Sequence, residues 1–332
     1  MKYNFPKIDL HLHLDGALIP EVAYEMAKER KLSYGEWSFE KLREEMIVGE
    51  GLDSLYEYLK RFDIPVAIMQ DEEALERSSY ELLKNLAGQG IVYSEIRFAP
   101  QLHGQKGCTQ RQAAEAVVRG VRKAEKECNI HGGVIVCAMT YQNVNDNKEA
   151  NMETVKVAGE LLGKGVVALD IAGAEGIVPM PDHAPVFEEA RKQNIPFTMH
   201  AGEVNIPENV KTAIEFGARR IGHGQSCIDN DEVLKMVLEN KIPLELCLTS
   251  NIQSRVRESY EAHPLKRLYD AGVLVTMNTD NMILSNVTLE SEYDRAAKTF
   301  GFTEADFIQM NKNSLEAAFM EESLRTELRK LF

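Results

Sequence analysis

Short apolar runs alternate with amphipathic helical patterns along most of this 332-residue chain. Apolar runs of strand length predict β-strands, and apolar positions repeating every three to four residues predict helices. The predicted strands are 8–14, 91–98, 133–139, 166–171, 196–200, 220–222, 244–248 and 273–278. Helical patterns lie between them, for example at 109–128, 149–162, 184–193, 208–216 and 231–239. Eight strand–helix units in a chain of this length predict an α/β fold, a (β/α)8 TIM barrel.

Two regions depart from the minimal strand–helix repeat. The first crossover, residues 18–88, is too long for one helix and predicts several helices packed over the barrel mouth. The tail, residues 290–332, predicts extra helices at the C-terminus, with Thr303 and the acidic residues after it as a helix-start signal. Because no linker rich in proline, glycine or serine divides the chain, we expect one domain over residues 1–332.

Composition and net charge limit the classes of partner that the protein could bind. Apolar residues make up 44% of the chain, which is normal for a globular protein with a large core. The net charge of -14 argues against nucleic acid or an anionic membrane and fits either a neutral or cationic small substrate or simply solubility. No secretory signal and no membrane-spanning run is visible. The five cysteines form no Cys-x-x-Cys pair, so we expect reduced thiols in a cytoplasmic protein.

The first predicted strand carries two histidines one residue apart. Side chains alternate along a strand, so His11 and His13 point to one face, together with Asp9. Two imidazoles on one strand face, followed by Asp15, are typical of a metal site at the carboxyl end of a strand. The alternative interpretation is a half-buried strand with incidental histidines.

Other chemistry-bearing residues follow later strands. Barrel enzymes place their sites at the carboxyl ends of the strands. We predict a metal-ligand set there, consisting of His11, His13, His200 and Asp280. Three imidazoles and one carboxylate suit one Zn²⁺ per chain, with Fe²⁺ or Co²⁺ as alternatives. Asp280 alone could instead cap a helix. The other four histidines, His103, His131, His183 and His263, are expected on surfaces or loops.

Two further residues are candidates for moving protons. Glu203 follows His200 by three residues, and a carboxyl group in a dry pocket has a raised pKa and can deliver a proton. Its alternative is a carboxylate in the first turn of a helix. His223 lies between Gly222 and Gly224, so it could accept a proton from an activated water or stabilise charge on it. Its alternative is a buried structural histidine.

Seven segments, taken in order, resemble the adenosine deaminase family of metal-dependent barrel hydrolases. They are HLHLDGA (11–17), SEIRFAP (94–100), DIAGAEG (170–176), HAGE (200–203), RIGHG (220–224), CLTSN (247–251) and NTDN (278–281). An isolated His-x-His would be weak, but the ordered set is specific and spans nearly the whole chain.

The resemblance implies a role for each matching position. His11, His13, His200 and Asp280 would bind zinc. Glu203 would protonate the purine nitrogen next to the amino-bearing carbon, while His223 and Asp280 would orient and deprotonate the attacking water. Further contacts with the nucleoside would come from the Gly173 backbone to a ring nitrogen, Asp15 to the ribose 5′-hydroxyl, and a lid helix at 55–62 that presents Tyr58, Leu59 and Phe62. For these three lid residues, ordinary core packing is an equal alternative.

Two positions bear on the substrate. Relatives that act on free adenine carry Glu where this chain has Asp15, and the shorter side chain leaves room for a ribose. The family pattern at strand 8 is Asp-Asp, whereas this chain has Asp280-Asn281. An Asn amide can donate to a purine imidazole nitrogen without being protonated. We therefore expect deamination of adenosine and 2′-deoxyadenosine. The alternatives are a modified 6-aminopurine nucleoside of the aminofutalosine type, free adenine and, remotely, a nucleoside-binding protein without catalysis.

Overall fold

The computed structural model describes residues 2–49, 55–140 and 144–332. Eight parallel strands form the centre of the fold. They are β1 (Lys7–His13), β2 (Ile91–Phe98), β3 (His131–Thr140), β4 (Val166–Gly173), β5 (His200–Ala201), β6 (Ile221–His223), β7 (Leu244–Leu246) and β8 (Val275–Met277). All eight coincide with or adjoin predicted strands, and β2 has the predicted bounds.

Helices surround the strands. The first group precedes β2 and consists of α1 (Pro20–Glu29), α2 (Phe39–Met46), α3 (Leu55–Leu59), α4 (Asp63–Ile68) and α5 (Glu72–Gly88). Those between β2 and β8 are α6 (Gln110–Glu127), α7 (Val144–Leu161), α8 (Ala184–Lys192), α9 (Pro207–Phe216), α10 (Asp231–Glu239), α11 (Leu248–Gln253) and α12 (Leu265–Asp270). The C-terminal group is α13 (Leu289–Phe300), α14 (Glu304–Ala317) and α15 (Glu322–Leu328). The extra helices predicted after strand 1 and at the C-terminus are therefore present.

The strands pair in chain order and close into a barrel. Strands β1 to β4 and β5 to β8 form two parallel sets, which a bridge between Leu169 and Phe197 joins. A second bridge, between Leu12 and Asp280, joins the last strand to the first. At this seam the Asp280 amide donates to His11 O at 2.8 Å, and the His13 amide donates to Asp280 O at 2.8 Å. The predicted TIM barrel is confirmed, and three candidate site residues, His11, His13 and Asp280, lie directly on its closure.

Local sequence signals set several helix starts. Thr109 and Gln112 form a reciprocal capping box at the start of α6, and Asp71 caps α5 by accepting from the Ala74 amide. The predicted lid helix is short. It consists of α3 followed by a 3₁₀ turn at Lys60–Phe62, after which α4 begins at Asp63.

One apolar cluster includes residues from Tyr3 to Met310 and packs the barrel against its surrounding helices. On this basis we propose that residues 1–332 form one domain, since core contacts join both ends of the chain. Within the described residues, no helix is long and apolar enough to cross a bilayer. A cytoplasmic location stays a prediction.

Candidate active site

The predicted metal ligands converge at the carboxyl ends of β1, β5 and β8. His13 Nε2 lies 3.2 Å from His200 Nε2 and 3.4 Å from Asp280 Oδ1. His11 Nε2 lies 3.6 Å from the same Asp280 oxygen and has no hydrogen-bond partner among the described residues. All four side chains are buried. Residues separated by up to 269 positions are thus brought to one point by the barrel closure.

These spacings fit a divalent metal ion. Tetrahedral ligands with bonds of about 2.0–2.1 Å have donor atoms about 3.3–3.4 Å apart. The three measured separations of 3.2, 3.4 and 3.6 Å are close to that value. The unpartnered Nε2 of His11 directs a lone pair into the same space. Imidazole and carboxylate donors with these separations suit a divalent metal ion, and ligand atoms of His11, His200 and His223 also lie within 4.8 Å of one another.

Two buried carboxylates contact the Nδ1 atoms of His11 and His200, on the side of each ring that faces away from the predicted metal site. His11 Nδ1 donates to Glu245 Oε2 at 2.8 Å, and His200 Nδ1 lies 2.9 Å from Asp170 Oδ2. Arg97 joins the two carboxylates, because Nη1 donates to Asp170 and Nη2 donates to Glu245, both at 2.8 Å. Such partners fix the ring orientation and leave Nε2 free to bind a metal.

A second arginine completes this layer. Arg220 donates to Glu245 Oε1 and to Glu95 Oε2, each at 2.6 Å, and none of the three side chains is exposed. We call Glu95, Arg97, Asp170, Arg220 and Glu245 the charged floor. Burial would raise the pKa values of Asp170 and Glu245, but their charged partners outweigh it and hold both well below the ordinary range.

The loop that carries Glu203 is clamped on both sides. Glu175 Oε1 accepts from the Gly202 amide at 2.6 Å, and Glu175 Oε2 accepts from the Val204 amide at 2.9 Å. Gln225 Nε2 donates to the Glu203 carbonyl at 2.7 Å. The Glu203 side chain is buried, and burial, reinforced by the charge of Asp280, raises its pKa to about 8. A carboxyl group of this kind is protonated at neutral pH and can act as an acid.

His223 and Asp280 share an unusual backbone conformation. Their φ angles are 60° and 59°, in the left-handed region that residues with a Cβ atom rarely occupy. Strain of this kind persists where surrounding structure fixes it, often at active sites. His223 Nε2 lies 3.9 Å from Glu203 Oε2, and its ring centroid is 4.8 Å from that of His11. Glu203 and His223, the two candidates for moving protons, therefore lie beside the predicted metal site.

A cavity of about 430 Å³ opens next to the metal ligands. Among the sequence-predicted residues, those lining it are His13, Asp15, Leu59, Phe62 and Gly173. Asp15 is buried, its Oδ1 has no partner among the described residues, and burial raises its pKa to about 7. Gly173 has a φ of 117°, and a Cβ there would approach Thr140 O to 2.4 Å. Only glycine fits at this point of the cavity wall.

Asn281 and Tyr58 lie beside the cavity rather than among its lining residues. Asn281 packs directly against Gly16, since a Cβ at Gly16 would lie 2.0 Å from Asn281 Oδ1. That oxygen is buried without a partner among the described residues. Tyr58 packs with Val48 and Leu284 in a small apolar cluster, and its hydroxyl is 2.7 Å from Ser285 Oγ. The packing alternative therefore describes Tyr58 better than substrate contact does.

Three of the histidines expected on surfaces or loops are buried instead. His103 Nδ1 contacts Met69 O at 2.7 Å, His263 contacts Asn251, and His183 precedes α8. Their exposed fractions are 0%, 2% and 3%, so a surface position was wrong for all three, whereas His263 does lie in a loop. Another buried side chain, Cys247, approaches His11 and Asp280, but burial raises the pKa of its thiol well above the usual value. A protonated thiol is a poor metal ligand.

The family model for adenosine deaminase matches residues 6–331. The chain belongs to this family. An adenosine deaminase of Clostridium perfringens is 37% identical over 327 residues, which are 98% of this chain and 97% of the relative. The crystal structure of an adenine deaminase from Arthrobacter aurescens has a TM-score of 0.88 at 21% identity, covering 98% of each chain. The Arabidopsis N6-mAMP deaminase has a TM-score of 0.84 at 26% identity, covering 98% of this chain and 97% of that one. The resemblance drawn from the motifs is thereby confirmed.

Proposed function

We propose that this protein hydrolyses adenosine and 2′-deoxyadenosine to inosine and 2′-deoxyinosine with release of ammonia, using one zinc ion per chain. The observation that carries the proposal is that the buried Glu203 carboxyl, 3.9 Å from His223 Nε2, lies beside an imidazole–carboxylate cluster of which His13 lines the cavity. Curated relatives named adenosine deaminase at 37% and 38% identity support the same reaction.

In this proposal His11, His13, His200 and Asp280 hold the zinc ion. When bound, zinc supplies Lewis acidity that lowers the pKa of a water ligand to about 7. The floor carboxylates Glu245 and Asp170 keep the Nε2 atoms of His11 and His200 directed at the site. The ligand geometry is thus set before any substrate arrives.

Glu203 gives its proton to the purine ring nitrogen next to the amino-bearing carbon. Protonation makes that carbon electrophilic, so an activated water can attack it, and the amino group leaves as ammonia after receiving the proton that the water loses. The Glu203 carboxyl is protonated at neutral pH because it is buried near the charge of Asp280. Glu175 and Gln225 fix the backbone on either side and so set the position of the acid.

The cavity supports a nucleoside as the substrate. Asp15 lines it with an unpartnered, buried oxygen that suits a ribose hydroxyl. Leu59 and Phe62 supply apolar surface over the sugar, and the Gly173 turn brings backbone to the cavity wall. Asp15, Asp63 and Lys60 line this cavity, and Lys60 pairs with Glu57 at 2.6 Å, so the two carboxyl groups disfavour a 5′-phosphate there. The free nucleoside is therefore the preferred form.

One observation favours a second substrate class. Asn281 lies where the family motif has an acid, and its carboxamide is pressed against Gly16 with Oδ1 unpartnered. A modified 6-aminopurine nucleoside, for example of the aminofutalosine type, could use that amide differently from adenosine. Ranking a panel of 6-aminopurine nucleosides by kcat/KM separates the two classes.

The first test is an ultraviolet absorbance assay with adenosine and 2′-deoxyadenosine, run before and after chelation. We expect an absorbance change that chelation abolishes and zinc restores. Because the metal joins four ligands that come together only in the folded state, its binding stabilises that state, and chelated protein should have a lower Tm. No reaction with any 6-aminopurine nucleoside, with zinc measured as bound, would contradict the proposal.

A further inference from the structure

Asn251 and His263 have no role in the chemistry described so far. Asn251 lies in α11, directly after β7, and His263 lies just before α12; their exposed fractions are 0% and 2%. The Asn251 carboxamide contacts two imidazoles. Its Nδ2 is 3.1 Å from His223 Nδ1, and its Oδ1 is 3.1 Å from His263 Nε2.

At the His263 end of these contacts, the backbone determines which ring nitrogen accepts a hydrogen bond. The backbone amide of Leu265 donates to His263 Nδ1 at 3.2 Å. A backbone N–H can only donate, so His263 Nδ1 carries no proton. Burial lowers the pKa of His263 to about 3, and the neutral ring therefore has its single proton on Nε2.

That proton fixes the orientation of the amide. His263 Nε2–H needs an acceptor, and the only acceptor atom of the Asn251 carboxamide is Oδ1. Its Nδ2 group then faces His223 and donates to Nδ1. The Leu265 amide thus determines the proton position on His263, which determines the orientation of the Asn251 carboxamide and so the donor that faces His223.

We propose that Asn251 and His263 are positioning residues that hold the single proton of the His223 ring on Nε2. This nitrogen is on the active-site side of the ring, 3.9 Å from Glu203 Oε2. The inference rests on the proposed deamination for its catalytic meaning, but the tautomer itself is independent of any substrate.

This tautomer gives His223 and Asp280 different roles, although the family resemblance implies a shared one. With Nε2 protonated and Nδ1 accepting from Asn251, His223 has no free lone pair for the proton of the attacking water. His223 therefore donates a hydrogen bond to the water oxygen. The O–H bond of the water breaks toward Asp280, and a carboxylate oxygen of Asp280 receives the proton.

The direct test is ¹⁵N NMR of the zinc-loaded protein with ¹⁵N-labelled histidine side chains and without substrate. His223→Gln identifies the two His223 signals by their absence. We expect Nδ1 to have the shift of an unprotonated nitrogen and Nε2 that of a protonated one. A proton on Nδ1 would overturn the proposal.

Variants then test the relay. Asn251→Asp replaces the donor by an acceptor, so we expect the His223 proton to appear on Nδ1 and kcat to fall about tenfold to a hundredfold. KM should change much less, because neither residue lines the cavity. Asn85→Asp is the matched control, because Asn85 is exposed and its Oδ1 accepts from Gln89, a bond that Asp retains.

A second pair keeps the test decisive if Asn251→Asp does not fold. His263→Gln retains a donor toward Asn251 Oδ1 and should preserve the His223 shifts, whereas His263→Leu removes the donor and should alter them. Unchanged His223 shifts and kcat in folded His263→Leu would overturn the relay. If the parent protein deaminates no nucleoside, the proposed function fails, while the ¹⁵N shifts still decide the tautomer.

Discussion

The buried carboxyl groups of this barrel lie in two layers that differ in how their charge is compensated. In the charged floor, Asp170 and Glu245 lie against arginines and imidazoles, and their pKa values are held well below the ordinary range. At the mouth, Asp15 and Glu203 pair with no lysine or arginine among the described residues. Burial raises their pKa values to about 7 and about 8.

This difference distinguishes groups that hold the site from groups that act in it. A compensated carboxylate stays charged and keeps its neighbours in place, whereas an uncompensated one can take up and release a proton near neutral pH. The predicted metal ligands lie between the two layers, because Asp170 and Glu245 contact His200 and His11, and Glu203 follows His200 by three residues. Substitutions at the mouth should therefore reduce catalysis, whereas substitutions in the floor should reduce stability and metal binding.

The largest expected effect comes from the mouth. Glu203→Gln removes the transferable proton while keeping the size of the side chain, and kcat should fall about 10²–10⁴-fold. In the parent, kcat/KM should decline as the pH rises above about 8, because the acid loses its proton there. Steady-state kinetics across this pH range check both, with the exposed Glu258→Gln as the control. Activity within threefold of the parent would contradict the role.

The same variant should stabilise the protein at high pH. The pKa of Glu203 is raised in the folded state, so its contribution to stability is full below its ordinary pKa of 4.5 and is lost as the pH passes about 8. The Tm of Glu203→Gln relative to the parent should therefore increase with pH. If the Tm difference between Glu203→Gln and the parent stayed constant or decreased with pH, the charge of Glu203 would be compensated in the folded state.

The next effect concerns the floor. Arg97→Met leaves Asp170 and Glu245 without their shared cation, and the free energy of unfolding should fall by about 3–5 kcal/mol. Denaturant unfolding at neutral pH measures it. Arg122→Met, which removes a half-exposed arginine on α6, should change stability by less than about 1 kcal/mol. Equal losses in the two variants would erase the contrast between floor and surface.

A smaller change in the floor should act on metal binding. Glu245→Gln weakens the hold on the His11 ring, so metal affinity should fall about tenfold to a hundredfold. Competition with a chromophoric chelator gives the affinity. Glu239→Gln, on an exposed face of α10, is the control. Unchanged affinity in Glu245→Gln would mean that the floor acts on folding alone.

The smallest effect is expected for the second mouth acid. Asp15→Ala removes one hydrogen bond to the ribose, and kcat/KM for adenosine should fall about tenfold. The same variant should act on 5′-deoxyadenosine nearly as well as the parent does. Losses of equal size for the two substrates would place Asp15 outside the sugar contact.

Sequence reasoning predicted the barrel well because strand periodicity is local. It located the metal ligands because barrel topology brings strand ends together wherever they fall in the chain. It missed the floor, although a signal was available. Arg97, Asp170 and Glu245 are charged residues inside apolar strands, and such groups must be paired when buried.

Other features had no local signal. His103, His183 and His263 occur singly in loops or 3₁₀ turns, and only tertiary packing decides that they are buried. The packing of Tyr58 in a small apolar cluster likewise depends on Leu284, more than 200 residues away along the chain. Helical spacing placed Tyr58, Leu59 and Phe62 on one face but could not tell which of them would line the cavity.

The barrel seam has a consequence for the order of folding. The bonds that close β8 onto β1 involve the backbone of His11, His13 and Asp280, and Thr279 Oγ1 donates to Asp9 Oδ2 across 270 residues of chain. Contacts of such long range form late, since the entropy of closing the loop must be overcome first. A chain still being synthesised thus holds only part of its ligand set until the last strand emerges. Metal uptake at this site would then report completion of the barrel, and the ion would stabilise the slowest contact of the fold.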